Sequence, residues 1–88
     1  MQDLKAIYGN SYEVLKAHTY TDEELSSEDV IESWKLKQTF KVGDSVLYTS
    51  ANYEGVIVDL IDWCTGSVEI RLRSGVTCVS VYAITKID

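Results

Sequence analysis

The stretch 40-FKVGDSVLYTSANYEGVIVDLIDW-63 decides how this chain is read. It combines three short apolar runs with two glycines and two tyrosines and carries no proline, and the chain as a whole has none. Gly43-Asp44 is a turn pair, and "SVLYTS" after it has the length and β-branched content of a strand. "GVIVDLIDW", starting at Gly55, reads as a second, longer strand. The five residues "SANYE" between them are short enough for a hairpin loop.

The pattern continues outward toward the C-terminus. In "SVEIRLR", Val68, Ile70 and Leu72 fall on one face, and Glu69, Arg71 and Arg73 fall on the other. "SGVTCVSVYAITKID" opens on a Ser-Gly turn, runs as a strand to about Val81, and ends in a short turn and a last strand. "CTGS" and "RSG" are again hairpin-length connections. Four or five short antiparallel strands in about fifty residues make a poor flat sheet; closing them into a small barrel buries one face and removes most free edges.

Toward the N-terminus the period changes from two to helical. Leu4, Ile7, Tyr8, Tyr12 and Leu15 share one stripe, interrupted by Gly9-Asn10, which predicts one weakened helix or two short ones, with Ser11 as a cap for the second. Thr21 and Glu24 have capping-box spacing, and Ser26 with Asp29 repeats it loosely. A further helix is expected over about Ser27–Lys37, with Val30, Ile31 and Trp34 on its apolar face, acids at its start, and Lys35 and Lys37 at its end. The expected class is therefore α+β: a helical region over 1–38 that packs on the barrel or on a partner, then a 4–5-stranded antiparallel barrel over 39–88.

"FKVGDSVLY", "YEGVIVDL", "SVEIRLRSG" and "VSVYAITKI" together resemble a Src-homology-3-like small barrel of the Tudor and KOW kind. Such domains open on a hydrophobic-x-x-G-D-x-V strand, continue with a glycine and a bent apolar strand, and close with a short turn into a final strand. The resemblance covers roughly 39–88 and implies a binding module rather than one particular function.

Charge narrows the classes further. Fourteen acidic against eight basic side chains leave a net charge of −6. Residues 1–37 hold eight acids and four bases, and residues 38–88 hold six and four. No basic patch of the kind that releases counterions from nucleic acid is present, so a direct nucleic-acid contact is not expected. The acidic balance favours a protein partner with a basic surface. No apolar run approaches the roughly 18 residues of a membrane span, and the opening "MQDLKAIYGN" lacks the basic and apolar regions of a secretion signal. A cytoplasmic protein with no membrane association is expected.

The resemblance raises two site hypotheses. Tudor-type barrels hold methylated lysine or arginine in an aromatic cage, for which this chain offers Tyr48, Tyr53, Trp63 and Tyr82, with Glu54, Asp59 or Asp62 as the acidic neighbour. The competing reading puts Tyr48 in the core, Trp63 at the barrel mouth and Tyr82 beneath the helices. KOW-type domains place basic residues in the first hairpin loop, but here Thr49–Glu54 has no lysine or arginine and one acid. Lys41, Arg71 and Arg73 form at most a small cluster, whose simpler use is pairing with Glu69, Asp59 or Asp62 across strands.

Catalysis finds no convergent set. His18 is the single histidine, and Cys64 and Cys78, fourteen positions apart, have neither zinc-site nor disulfide-framework spacing, so two reduced thiols are expected. No glycine-rich phosphate loop is present, and neither a cofactor nor a metal is expected. The resulting reading is a small non-catalytic protein-binding or regulatory module. Its contact surface would lie at the barrel end around Asn52, Tyr53, Asp62 and Trp63, together with the acidic helix at Glu28 and Glu32. The alternative is a KOW-like accessory factor of transcription or translation that contacts nucleic acid or RNA polymerase.

Overall fold

The computed structural model describes residues 3–87. Four short helices precede five strands: α1 (Leu4–Tyr8), α2 (Ser11–Ala17), α3 (Asp22–Leu25), α4 (Glu28–Lys37), β1 (Ser45–Tyr48), β2 (Tyr53–Asp59), β3 (Ser67–Leu72), β4 (Gly75–Ser80) and β5 (Ile84–Lys86). A 3-10 turn, Val81–Ala83, joins β4 to β5. The chain is thus mixed α+β, with all strands antiparallel in the order β4-β3-β2-β1-β5. The ladder is open, with β4 and β5 as its edges.

Gly9-Asn10 divides the N-terminal stripe into two helices, because Gly9 adopts φ +60 and donates its N–H back to the Lys5 carbonyl. Ser11 does not cap α2; Asn10 precedes the helix and Ser11 is already its first residue. Thr21 and Glu24 form a complete capping box that opens α3. The looser Ser26–Asp29 pair makes no box, since Ser26 Oγ donates to the Glu23 carbonyl instead. Helix α4 begins one residue later than the spacing predicts, with Ser27 before it.

Strand β2 differs most from expectation. It starts at Tyr53, before Gly55, and ends at Asp59 rather than Trp63. A register shift between Ile57 and Asp59 marks a bulge there. Past it the chain turns away, so Ile61, Asp62 and Trp63 belong to the β2–β3 connection. Gly55 permits a close strand approach: a Cβ at this position would stand 2.9 Å from Leu72 Cδ2 and 3.0 Å from the Arg71 carbonyl oxygen.

Two apolar cores follow from the two periodicities. Phe40, Val46, Ile57, Val68, Ile70, Val79, Val81 and Ile84 are buried on the inner face of the sheet, joined by half-buried Leu36, Tyr48, Leu60 and Leu72. Tyr8, Leu15, Leu25, Ile31 and Trp34 form a second core among the helices. Within the latter, Tyr8 and Trp34 meet edge to face at 5.3 Å, and Trp34 Nε1 donates to the Ile7 carbonyl at 3.2 Å. Helix α4 serves both cores, giving Ile31 and Trp34 to the helices and Leu36 to the sheet. The molecule is elongated, 42 × 20 × 19 Å. Among the described residues, no helix is long and apolar enough to cross a membrane.

Candidate functional site

The residues singled out in the sequence fall at two separate places. Asn52 and Tyr53 lie at the β1–β2 hairpin tip, where Asn52 takes the left-handed conformation (φ +57) that asparagine tolerates better than most residues. With Glu54, Leu72, Arg73 and Ser74 they line a cleft of about 630 Å³ between this tip and the β3–β4 turn. Tyr53 is 60% exposed there. Its cross-strand partner, Tyr48, packs on the sheet core instead.

Asp62 and Trp63 lie beyond the other end of β2, and a seven-residue strand separates its ends by about 20 Å. The single contact surface expected around Asn52, Tyr53, Asp62 and Trp63 is therefore two surfaces. The β2 boundary explains the difference: had the strand run on to Trp63 as its apolar content predicts, the bulge would not have turned the segment away. Tyr82 is exposed on the 3-10 turn and not beneath the helices. The close aromatic pairs among the described residues are Tyr8–Trp34 and His18–Trp63, so Tyr48, Tyr53, Trp63 and Tyr82 do not assemble into a cage.

Trp63, half exposed, stacks on His18 with ring centroids 5.3 Å apart and planes 29° apart. His18 ends α2, and Thr19 after it has φ +75, which reverses the chain and sets Tyr20 toward the β2–β3 connection. His18, Thr19, Tyr20, Glu24 and Trp63 line a second groove of about 360 Å³, at the seam between helices and sheet. This groove brings Trp63 to the acidic segment through Glu24. Glu28 and Glu32 are exposed on α4 and do not line it. The sequence carried no signal for the pairing of His18 with Trp63, because the two belong to different periodic segments 45 positions apart.

The residues flanking Trp63 in the chain, Ile61, Cys64 and Thr65, join a polar knot that sequence reasoning missed. The Lys37 side chain is wholly buried; its ammonium donates to the carbonyls of Ile61 and Cys64 and lies 4.8 Å from the Trp34 ring centroid. Burial pushes the Lys37 pKa down, partly opposed by the negative potential of Cys64, Asp62, Asp59 and Cys78. Burial pushes the Cys64 thiol up, but hydrogen bonds from Gly66, Ser67 and Tyr20 and the Lys37 charge outweigh it, leaving the thiol below its ordinary value. Tyr20 Oη lies 3.9 Å from Cys64 Sγ, and Ser33 Oγ lies 3.5 Å from Thr65 Oγ1. The knot fastens α4 to the β2–β3 connection and so holds Trp63 in place.

Both cysteines are free, Cys64 half-buried in this connection and Cys78 exposed on β4. Among the described residues the ion pairs are Lys16–Asp22 at 2.9 Å and Lys86–Asp44 at 3.3 Å. Arg71 and Arg73 make none among the described residues; the expected pairing with Glu69, Asp59 or Asp62 is absent because β3 sets Val56 and Val76 beside Arg71. Comparison with known proteins yields no match to a family model, a curated protein or a solved structure.

Proposed function

We propose that this chain is a small non-catalytic protein-binding or regulatory module built on a Src-homology-3-like barrel, and that its principal contact is the cleft between the two hairpin tips. The strand order β5-β1-β2-β3-β4 with a 3-10 turn before the last strand supports the barrel reading. One observation carries the functional reading: Tyr53, 60% exposed, stands in a cleft with Asn52, Glu54 and Arg73 arranged around it. A large exposed aromatic ringed by polar groups is the composition of an interface anchor. The net charge of −6, with Glu24, Glu28 and Glu32 all exposed, favours a partner with a basic surface.

Capture from lysate by the intact protein, with and without nuclease, is the test, run alongside Tyr53→Ala and Trp63→Ala. A specific protein should be retained after nuclease treatment, and Tyr53→Ala should release it while leaving the fold intact. Retention by Tyr53→Ala with loss in Trp63→Ala moves the contact to the seam groove. Capture that vanishes with nuclease replaces the proposal with the KOW-like reading of an accessory factor in transcription or translation.

A further inference from the structure

The two edges of the sheet are not equivalent. Strand β5 has three residues, one of them Lys86, whose ammonium is tied to Asp44 and to the Thr39 carbonyl. Brevity and a lysine are devices that keep an edge from pairing with another chain. Strand β4 has six residues, GVTCVS, with no charge, no proline and no bulge in its pairing with β3. Gly75, Val76, Thr77 and Cys78 are all exposed, on both faces of the sheet.

Its backbone is also open. Leu72 and Gly75 close the two-residue turn Arg73-Ser74 and so exchange both ladder hydrogen bonds. By alternation Ile70–Thr77 and Val68–Val79 are hydrogen-bonded pairs, whereas Arg71–Val76 and Glu69–Cys78 are not. The N–H and C=O groups of Val76 and Cys78 therefore point away from β3. Among the described residues no other backbone group accepts from or donates to them.

We propose that this edge is the dimer interface of the protein, with two copies pairing β4 against β4 about a two-fold axis at Thr77. Val76 then faces Cys78 of the second copy, and the pair exchanges two hydrogen bonds; symmetry repeats this on the other side of the axis. Thr77 meets its own copy as a close, non-hydrogen-bonded pair. Charge selects this register. Across the outer face each row reads Arg71, Val76, then the second copy's Cys78 and Glu69, opposite charges at its ends. An axis at Cys78 would instead set Glu69 at both ends, and an axis at Val76 would set Arg71 at both. With β5 protected, each copy has one open edge, so pairing closes as a dimer and does not extend into a fibre.

Sedimentation of the full-length protein should show a monomer–dimer equilibrium that saturates at the dimer. Val76→Pro removes an interchain donor but none of the bonds to β3, and should give a monomer whose thermal transition matches that of the unaltered protein at concentrations too low for it to dimerise. Thr77→Lys, at an exposed position, sets two ammonium groups against each other across the axis and should act likewise if the proline variant does not fold. In a Cys64→Ser, Cys78→Ser background, Thr77→Cys should form an interchain disulfide, since the close pair has the separation a disulfide needs. A protein that remains monomeric up to about 1 mM overturns the proposal. A dimer that survives Thr77→Lys and gives no Thr77→Cys cross-link overturns it as well.

Discussion

At the residue scale, the buried Lys37 carries the most consequence. An ammonium is costly to hold in a core unless its donors are satisfied, and here two carbonyls and an indole face receive them. Replacing it by methionine keeps much of the volume but leaves the Ile61 and Cys64 carbonyls without their donor. Lys37→Met should therefore lose about 2–3 kcal/mol in urea unfolding, from buried acceptors left unpaired at about 1–3 kcal/mol each and partly offset by relief of the lysine's desolvation. A loss under about 0.5 kcal/mol would mean that water readily serves those carbonyls. The same knot predicts the chemistry of Cys64. Its thiol is held below the ordinary value, so its alkylation should reach half-maximal rate at lower pH than an unperturbed cysteine, and Tyr20→Phe should raise that midpoint. Mass-mapped alkylation across a pH series reads this directly; an identical midpoint in both proteins would remove Tyr20 from the account.

At the element scale, the short helices depend on their ends. Helix α3 has four residues, too few to stand on propensity, and its capping box supplies hydrogen bonds to the exposed N-terminal amides. Thr21→Ala should cost about 1 kcal/mol. Just inside that cap, Asp22 accepts from Tyr12 Oη at 2.6 Å and from Lys16 Nζ at 2.9 Å, tying α3 to α2. These bonds, Tyr12's first and Lys16's second, hold its carboxyl below the usual 3.8. A carboxyl whose folded pKa is depressed adds stability above the unfolded value and loses it as pH falls through the folded one. Asp22→Asn should accordingly lower stability at neutral pH and flatten its decline below about pH 4; parallel acid titrations of the two proteins would refute this if they keep the same slope. Much at this scale was legible in sequence, because caps and alternation are local signals: the Thr21–Glu24 box, the inward row Val68 and Ile70, and the break at Gly9 all follow from neighbours a few positions apart. The extent of β2 was not. Leu60, Ile61 and Trp63 look like strand in composition, and only the bulge, set by pairing with β3, turns them out of it. That one boundary separated Tyr53 from Trp63 and divided the expected site. The pairing of His18 with Trp63, and the fate of Lys37, which by sequence looked like a charge at a helix end, were set by contacts between distant segments that no local pattern encodes.

At the scale of the whole molecule, the question is whether two cores behave as one. Each is small, and domains of this size bury only about 60–65% of their unfolded surface, so neither half has stability to spare. They are joined through α4, which packs Ile31 and Trp34 among the helices, Leu36 on the sheet, and Lys37 into the β2–β3 connection. Losing the helical core would free α4 to fray, and the sheet would then lose Leu36 from its inner face and the clamp on Ile61 and Cys64. The two halves should therefore unfold together. Leu15 lies wholly buried in the helical core, outside the sheet core, which makes it the appropriate probe. Leu15→Ala should destabilise the protein by about 2–5 kcal/mol. If the coupling through α4 holds, amide-exchange protection in β2 and β3 should fall by that same amount, although no strand residue has been changed. Protection in the strands that stays at its original level while the helices lose theirs would show two independent units. In that case α4 would be a tether between them, and the position of Trp63 over the seam would last only as long as the helices stay folded.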